Sequence, residues 1–166
     1  MLSAYANTHT EASGNGRQTG HLRKQAREAV RRSLGAGSEH AVLFCGSGTT
    51  GAIDRLIGLL ELRRPAPLVA RYGVPLPEHD RPVVFVGPYE HHSNELPWRE
   101  SIADVVTIRA DTHGRIDEDD LRDQLLRHVH RPLRIGSFSA ASNVTGLLTD
   151  TDRIATLLHA HGALSF

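Results

Sequence analysis

The run Pro82-Val-Val-Phe-Val-Gly87 places four apolar residues in succession between turn-forming ends. A segment of that length and composition has no polar face to give to water. As a strand it must be covered on both sides, which is the situation in a parallel sheet flanked by helices. Apolar or alternating stretches at residues 41–45, 103–109 and 133–138 read as three further strands, and residues 163–166 as the start of a fifth. Helical spacing fills the intervals. Leu22, Ala26, Ala29, Val30 and Leu34 mark a helix over residues 16–33, with Gly35 and Gly37 as a stop. Ile53, Leu56, Ile57 and Leu60 mark another that begins near Thr49. Asp117 and its acidic neighbours open a third, with Leu121, Leu125, Leu126 and Val129 expected on one face. Thr149 followed by Asp152 resembles a capping box for a helix through Ile154, Leu157 and Leu158 to Gly162. Residues 62–81 carry Pro65, Pro67, Gly73, Pro75 and Pro77 and read as loop; residues 88–98 read as loop or short helix. This alternation predicts an α/β fold, a mostly parallel sheet with helices on both faces.

The 166 residues suffice for one domain with a real core. Nineteen basic and nineteen acidic residues cancel without a basic block, so neither nucleic acid nor an anionic membrane is expected as partner. No apolar run approaches a membrane span, and Met1-Leu2-Ser3-Ala4 lacks the pattern of a signal peptide. A single cysteine, Cys45, cannot form an internal disulfide, which points to a cytoplasmic location; its place in an apolar run predicts that it is buried and inert. Lys24 is the only lysine, so any chemistry that needs a reactive amine has one candidate.

Ligands of parallel α/β sheets bind beyond the carboxyl ends of the strands, and three polar loops fall there. Cys45-Gly-Ser-Gly-Thr-Thr-Gly51 joins a strand to a helix, where glycines and free N–H groups suit a phosphate; the lysine of the common nucleotide loop is missing. Read as a turn, the same loop is a glycine-rich connection with a threonine cap. Glu90-His-His-Ser-Asn94 offers a local hydrogen-bonding turn, a ring that stacks on an aromatic cofactor, or a metal site joining His91 or His92 to His113. Adjacent histidines on an extended segment point to opposite sides, which disfavours the metal. Ser139-Ala-Ala-Ser-Asn-Val-Thr-Gly146 ends a strand in small residues, with Asn143 able to serve a ligand oxygen or a turn.

In this order the loops resemble those of the class V pyridoxal-phosphate enzymes: cysteine desulfurases, selenocysteine lyases and related aminotransferase-like proteins. The likeness runs from Tyr5-Ala-Asn-Thr-His9 and Arg27-Glu-Ala-Val30 through Phe44-Cys-Gly-Ser-Gly-Thr-Thr-Gly-Ala-Ile53 and Glu90-His-His-Ser-Asn-Glu-Leu-Pro-Trp98. It continues to Ser142-Asn-Val-Thr-Gly146 and His159-Ala-His-Gly162. The resemblance implies the large domain of a type I pyridoxal-phosphate transferase and an amino acid substrate. It implies that Gly48, Thr49 and Thr50 hold the cofactor phosphate, that His91 stacks on the ring and that Asn143 bonds the ring's phenolic oxygen. His9 and Asn94 would lie on the substrate side, with Thr10 where the family often has arginine.

The family's aspartate partner of the pyridine nitrogen and its cofactor-binding lysine match nothing in residues 1–166; Lys24 and Cys45 correspond to no catalytic position. The chain therefore reads as an incomplete cofactor-binding domain, lacking the rest of that domain and the small domain, and inactive by itself, with weak or no cofactor binding of its own. The family further implies a homodimer. The competing expectation is a non-catalytic α/β module that takes a phosphorylated small molecule through Gly46-Ser-Gly-Thr-Thr50.

Overall fold

The computed structural model describes residues 6–7, 9–63 and 76–166. They fall into two compact units, Met1–Cys45 and Gly46–Phe166. The first is built on helix α1 (Gly14–Ser33), which starts where the Ser13 hydroxyl accepts from the Gly16 N–H at 3.0 Å. Arg31 and Glu28 pair one turn apart at 2.7 Å, and the Arg27 guanidinium sits 5.9 Å from the centre of the Phe44 ring.

Residues 41–45 depart from expectation: they form no strand, and Leu43, Phe44 and Cys45 are exposed. An apolar run becomes a buried strand only where a neighbouring strand offers ladder hydrogen bonds and a layer covers it. All four strands of the sheet pair among themselves in the second unit, and among the described residues this run has no ladder partner. Residues 64–75, most of the expected proline-rich loop, lie outside the described residues; the described end of that stretch holds a 3-10 turn, Glu78–Asp80.

The second unit runs α2 (Gly48–Leu59), β1 (Val83–Val86), α3 (His92–Arg99), β2 (Asp104–Thr107), α4 (Glu118–Arg127), β3 (Arg134–Ser137), α5 (Thr151–Ala160) and β4 (Leu164–Ser165). The strands are all parallel, in the order β2-β1-β3-β4. β1 pairs Val84 with Val105 on one side and with Ile135 on the other. Because side chains alternate along a strand, β1 feeds two cores. Val84 and Val86 meet Ile57, Trp98 and Ile135 beneath α2 and α3. Val83 and Phe85 meet Leu121 and Leu125 of α4 and Ile154 and Leu158 of α5. Helices thus cover both faces.

Two helix details differ from the sequence pattern. Leu121 and Leu125 are fully buried, but Leu126 and Val129 are 56% and 61% exposed. Leu126 is a single step of about 100° around the helix from Leu125, and Val129 lies beyond the cap His128. At α5 the cap is Asp150, which accepts from the Arg153 N–H at 3.1 Å, and not Thr149, whose hydroxyl is used elsewhere.

At the amino ends of the strands the buried Arg131 pairs with Asp104, which also takes Arg81 at 3.1 Å. Gly136 in β3 lies where an added Cβ would come within 2.3 Å of the Leu158 side chain, so the missing side chain is what lets α5 seat on the sheet. Leu158→Ala is therefore expected to cost about 2–5 kcal/mol in urea unfolding. Leu126→Ala, five-ninths exposed on the same face of the sheet, should stay within about 0.5 kcal/mol of the parent. Equal costs would contradict this packing.

Candidate cofactor site

The strand order fixes where a ligand can sit. From β1 the chain leaves through α3 toward β2 on one face; from β3 it leaves through α5 toward β4 on the other. The neighbours β1 and β3 therefore part at their carboxyl ends, which is the crevice where open α/β sheets bind ligands. The loop after β1 carries Glu90 to Asn94, and the loop after β3 carries Ser139 to Gly146.

One carboxylate joins these loops. Glu90 Oε1 accepts from the Gly87 N–H at 3.3 Å and the Ser139 N–H at 2.9 Å. Its Oε2 accepts from Asn94 Nδ2 at 2.8 Å and Ser139 Oγ at 2.5 Å. Asn94, 6% exposed, is committed throughout. Its second amide hydrogen goes to the Ser137 carbonyl at 3.1 Å, and its oxygen accepts from Ser137 Oγ at 2.7 Å. The expected substrate-side Asn94 is thus a buried strut between the first turn of α3 and the end of β3. The network goes on through Thr149, whose hydroxyl donates to the Ser139 carbonyl at 2.7 Å. That uses its only hydrogen, so Tyr89 is the donor in the 3.0 Å bond between Tyr89 and Thr149.

His91 is the N-cap of α3 and is exposed. Its Nδ1 accepts from the Ser93 N–H at 3.1 Å and is 2.8 Å from Ser93 Oγ. With Nδ1 as acceptor, the neutral ring carries its hydrogen on Nε2. His92 is the first helical residue and is exposed as well, its ring centre 6.2 Å from that of His91 at a 43° tilt. The pair opens a helix instead of lying along an extended segment, so the expectation of rings on opposite sides does not apply. Among the described residues no three His, Cys, Asp or Glu side chains gather where they could hold a metal ion.

Asn143 is at the tip of a small hairpin closed by the bridge between Ala141 and Leu148, with Gly146 at φ 72°. Ser142, buried beneath, accepts from the Val144 and Thr145 N–H groups. The Asn143 side chain is exposed and has no partner among the described residues, so it is free to meet a ligand.

The glycine loop forms a cradle at the start of α2, which packs beside α3 on the same face of the sheet. Ser47 and Gly48 both take positive φ, 62° and 61°. Left-handed backbone costs a serine roughly 1–2 kcal/mol. Strain of this kind concentrates at ligand sites. Ser47 gives no side-chain cap, and the N–H groups of Gly48, Thr49 and Thr50 have no acceptor among the described residues. Three aligned donors at the positive end of a helix suit a phosphate. Gly51 is required by close approach, since a Cβ there would lie 1.7 Å from the Gly46 carbonyl oxygen.

In the first unit His9 is exposed, its Nε2 3.5 Å from Arg23 Nη1. Lys24 is on α1, and no lysine occurs in Gly46–Phe166.

A separate cleft of about 400 Å³ opens between Tyr89, Thr149, Asp150 and the loop of Asp111 and Arg115. The Arg115 N–H, with that of His113, holds the Asp111 carboxyl below its ordinary value. The loop is thus supported by the charged carboxylate above the usual aspartate range and loses that support as pH falls through the lowered value.

The fold and crevice together define an open parallel α/β sheet whose ligand crevice lies between β1 and β3. The aminotransferase class-V family model matches residues 1–166, and the chain belongs to that family. A probable cysteine desulfurase from Halalkalibacterium halodurans is 29% identical over 144 residues, covering 84% of this chain and 31% of its own length. The cysteine desulfurase CsdA from Escherichia coli superposes with a TM-score of 0.68 at 22% identity, covering 99% of this chain and 38% of that one. A serine palmitoyltransferase from S. paucimobilis, solved with PLP and myriocin bound, gives a TM-score of 0.63 at 18% identity over 96% of this chain and 34% of that one. The chain thus spans about a third of the length of these proteins.

Sequence patterns identified His91, Asn143 and the glycine loop; they did not identify Glu90. Its signal is present, an acid three residues after a buried Gly-ended strand, but its distant partner Ser139 is 49 residues away.

Gly51→Ala is expected to displace the first turn of α2 from Gly46. Exchange of the residue-51 N–H, which in the parent donates to the Ser47 carbonyl at 3.3 Å, should speed up with it, while β1 and β3 keep their protection. Unaltered exchange at residue 51 would refute the close approach.

Proposed function

We propose that this chain provides the cofactor-holding part of a pyridoxal-phosphate enzyme of the cysteine desulfurase type, which acts on an amino acid. The observation that carries the reading is the set of three uncommitted groups around the strand crevice. The N–H donors of Gly48, Thr49 and Thr50 face no acceptor, the Asn143 amide is free, and the exposed His91 ring is pinned only through Nδ1.

The residues present fit the group. The helix start and the threonine hydroxyls would take the phosphate. The His91 face would lie against the aromatic ring, a contact worth about 0.5–1.5 kcal/mol. Asn143 would donate to the phenolic oxygen, and the Nε2 hydrogen of His91 stays available on the side away from Ser93. Bound there, pyridoxal phosphate supplies an electron sink for bonds at the substrate's α-carbon. The chain's own residues bind it, orient its plane and leave one edge open.

On this reading the 166-residue chain by itself holds the cofactor weakly at most, without a covalent lysine, and does not turn over substrate; Lys24 on α1 matches no catalytic position. Its expected state is a homodimer in the cytoplasm. Among the described residues no helix is long and apolar enough to cross a membrane.

Equilibrium titration with pyridoxal phosphate, followed by its visible absorption and by quenching of Trp98, tests the proposal. His91→Ala should weaken binding about three- to tenfold, the scale of one aromatic contact. Inorganic phosphate should compete. Equal affinity of the parent and the His91→Ala variant, or preference for nucleotides over pyridoxal phosphate, would favour the simpler module that binds phosphorylated molecules through Gly46-Ser-Gly-Thr-Thr50.

A further inference from the structure

We infer that Glu90 is a positioning residue: its carboxylate sets the His91 loop and the Asn143 hairpin relative to each other across the β1–β3 crevice. The inference rests on the proposed cofactor reading only for what the two loops hold; the coupling itself stands on geometry.

Four hydrogens converge on two oxygens, and they come from three places. Gly87 ends β1, Asn94 belongs to the first turn of α3, and Ser139 begins the chain toward the hairpin. His91 lies between Glu90 and Asn94, which are themselves joined, so its backbone is fixed from both sides. Its ring is fixed separately by Ser93. Asn143 stands four residues beyond Ser139, on a hairpin whose other strand returns at Thr149 to the Ser139 carbonyl. No other side chain among the described residues bonds all three segments. Without this one the two loops would keep their local turns and lose their common reference.

An acceptor-only group is what the arrangement requires. A glutamine in its place offers one oxygen and one NH2. With its oxygen at the Oε1 place it keeps the Gly87 and Ser139 N–H groups and sets its NH2 against Asn94 Nδ2; turned over, it sets the NH2 against both N–H groups. Gly87 also depends on this packing, since a Cβ there would lie 2.7 Å from Glu90 Oε1.

The test is Glu90→Met, close to it in length and with no oxygen to accept at either place, read in two ways. In amide exchange on the chain without cofactor, the Gly87 and Ser139 N–H groups should lose protection together, by about tenfold or more. Amides of β2 and α4 should be unchanged, which shows that the fold persists. Loss at one of the two loops only, or at neither, overturns the inference. So does a uniform loss over the whole sheet, which would mark Glu90 as a general stability residue.

The second reading uses pyridoxal phosphate at saturation. The circular dichroism of its absorption band, which reports how firmly the ring is oriented, should fall to less than half in Glu90→Met. Affinity should change less than threefold, because Gly48 to Thr50 still hold the phosphate. Full dichroism in the variant overturns the positioning role. A parent chain that binds no pyridoxal phosphate would refute the cofactor reading alone, and the exchange experiment would still decide the coupling.

Discussion

Val83 to Val86 are buried on both faces and hydrogen-bonded on both edges, and everything else in the second unit is placed by them. A parallel strand cannot be paired by a tight turn; each neighbour must return through a crossover that itself covers a face. With β1 between β2 and β3, the crossovers divide, α3 to one side and α4 and α5 to the other. The same burial that makes the strand apolar thus opens a gap at its carboxyl end. At that gap polar groups meet solvent, and there Gly87 turns the chain toward Glu90.

The polar network in the gap offsets its own burial. Asn94 and Ser137 are nearly inaccessible, and a buried amide or hydroxyl without a partner costs about 1–3 kcal/mol. Each of their polar side-chain groups is bonded, Asn94 to Glu90 and Ser137, and Ser137 Oγ to Asn94. By contrast, the groups that would meet a ligand are left open: the Asn143 amide, the outer edge of His91 and the N–H groups at the start of α2. Satisfied struts behind and uncommitted groups in front are what a preorganised binding site requires.

The sequence made legible whatever depends on local pattern. The VVFV run, the acidic start of α4 capped by Asp117 and the glycine-terminated α1 all fall within a residue or two of where their periods put them. So did the loops of His91 and Asn143, because glycine, histidine and asparagine cluster where a strand ends. What failed required a partner distant in the chain. Residues 41–45 have the composition of a buried strand, but a strand is a relation between two segments, and no second segment among the described residues pairs with them. Leu126 shares its neighbours' composition but faces water. Glu90 reads as one acid among nineteen until Ser139 is brought 2.9 Å away.

That distinction also separates the two halves of the proposed cofactor site. The phosphate cradle is local: Gly46, Ser47, Gly48 and Gly51 lie within six consecutive residues, and its donors are in place as soon as the first turn of α2 exists. The ring contacts are not local. Ser139 meets Glu90 over a separation of 49 residues, and only after β3 has paired with β1 in register. Anion affinity and ring orientation therefore have different physical origins in this chain, the one in a helix end and the other in the closure of a sheet. Perturbing the sheet, or the carboxylate that spans it, acts on orientation first and on phosphate affinity second.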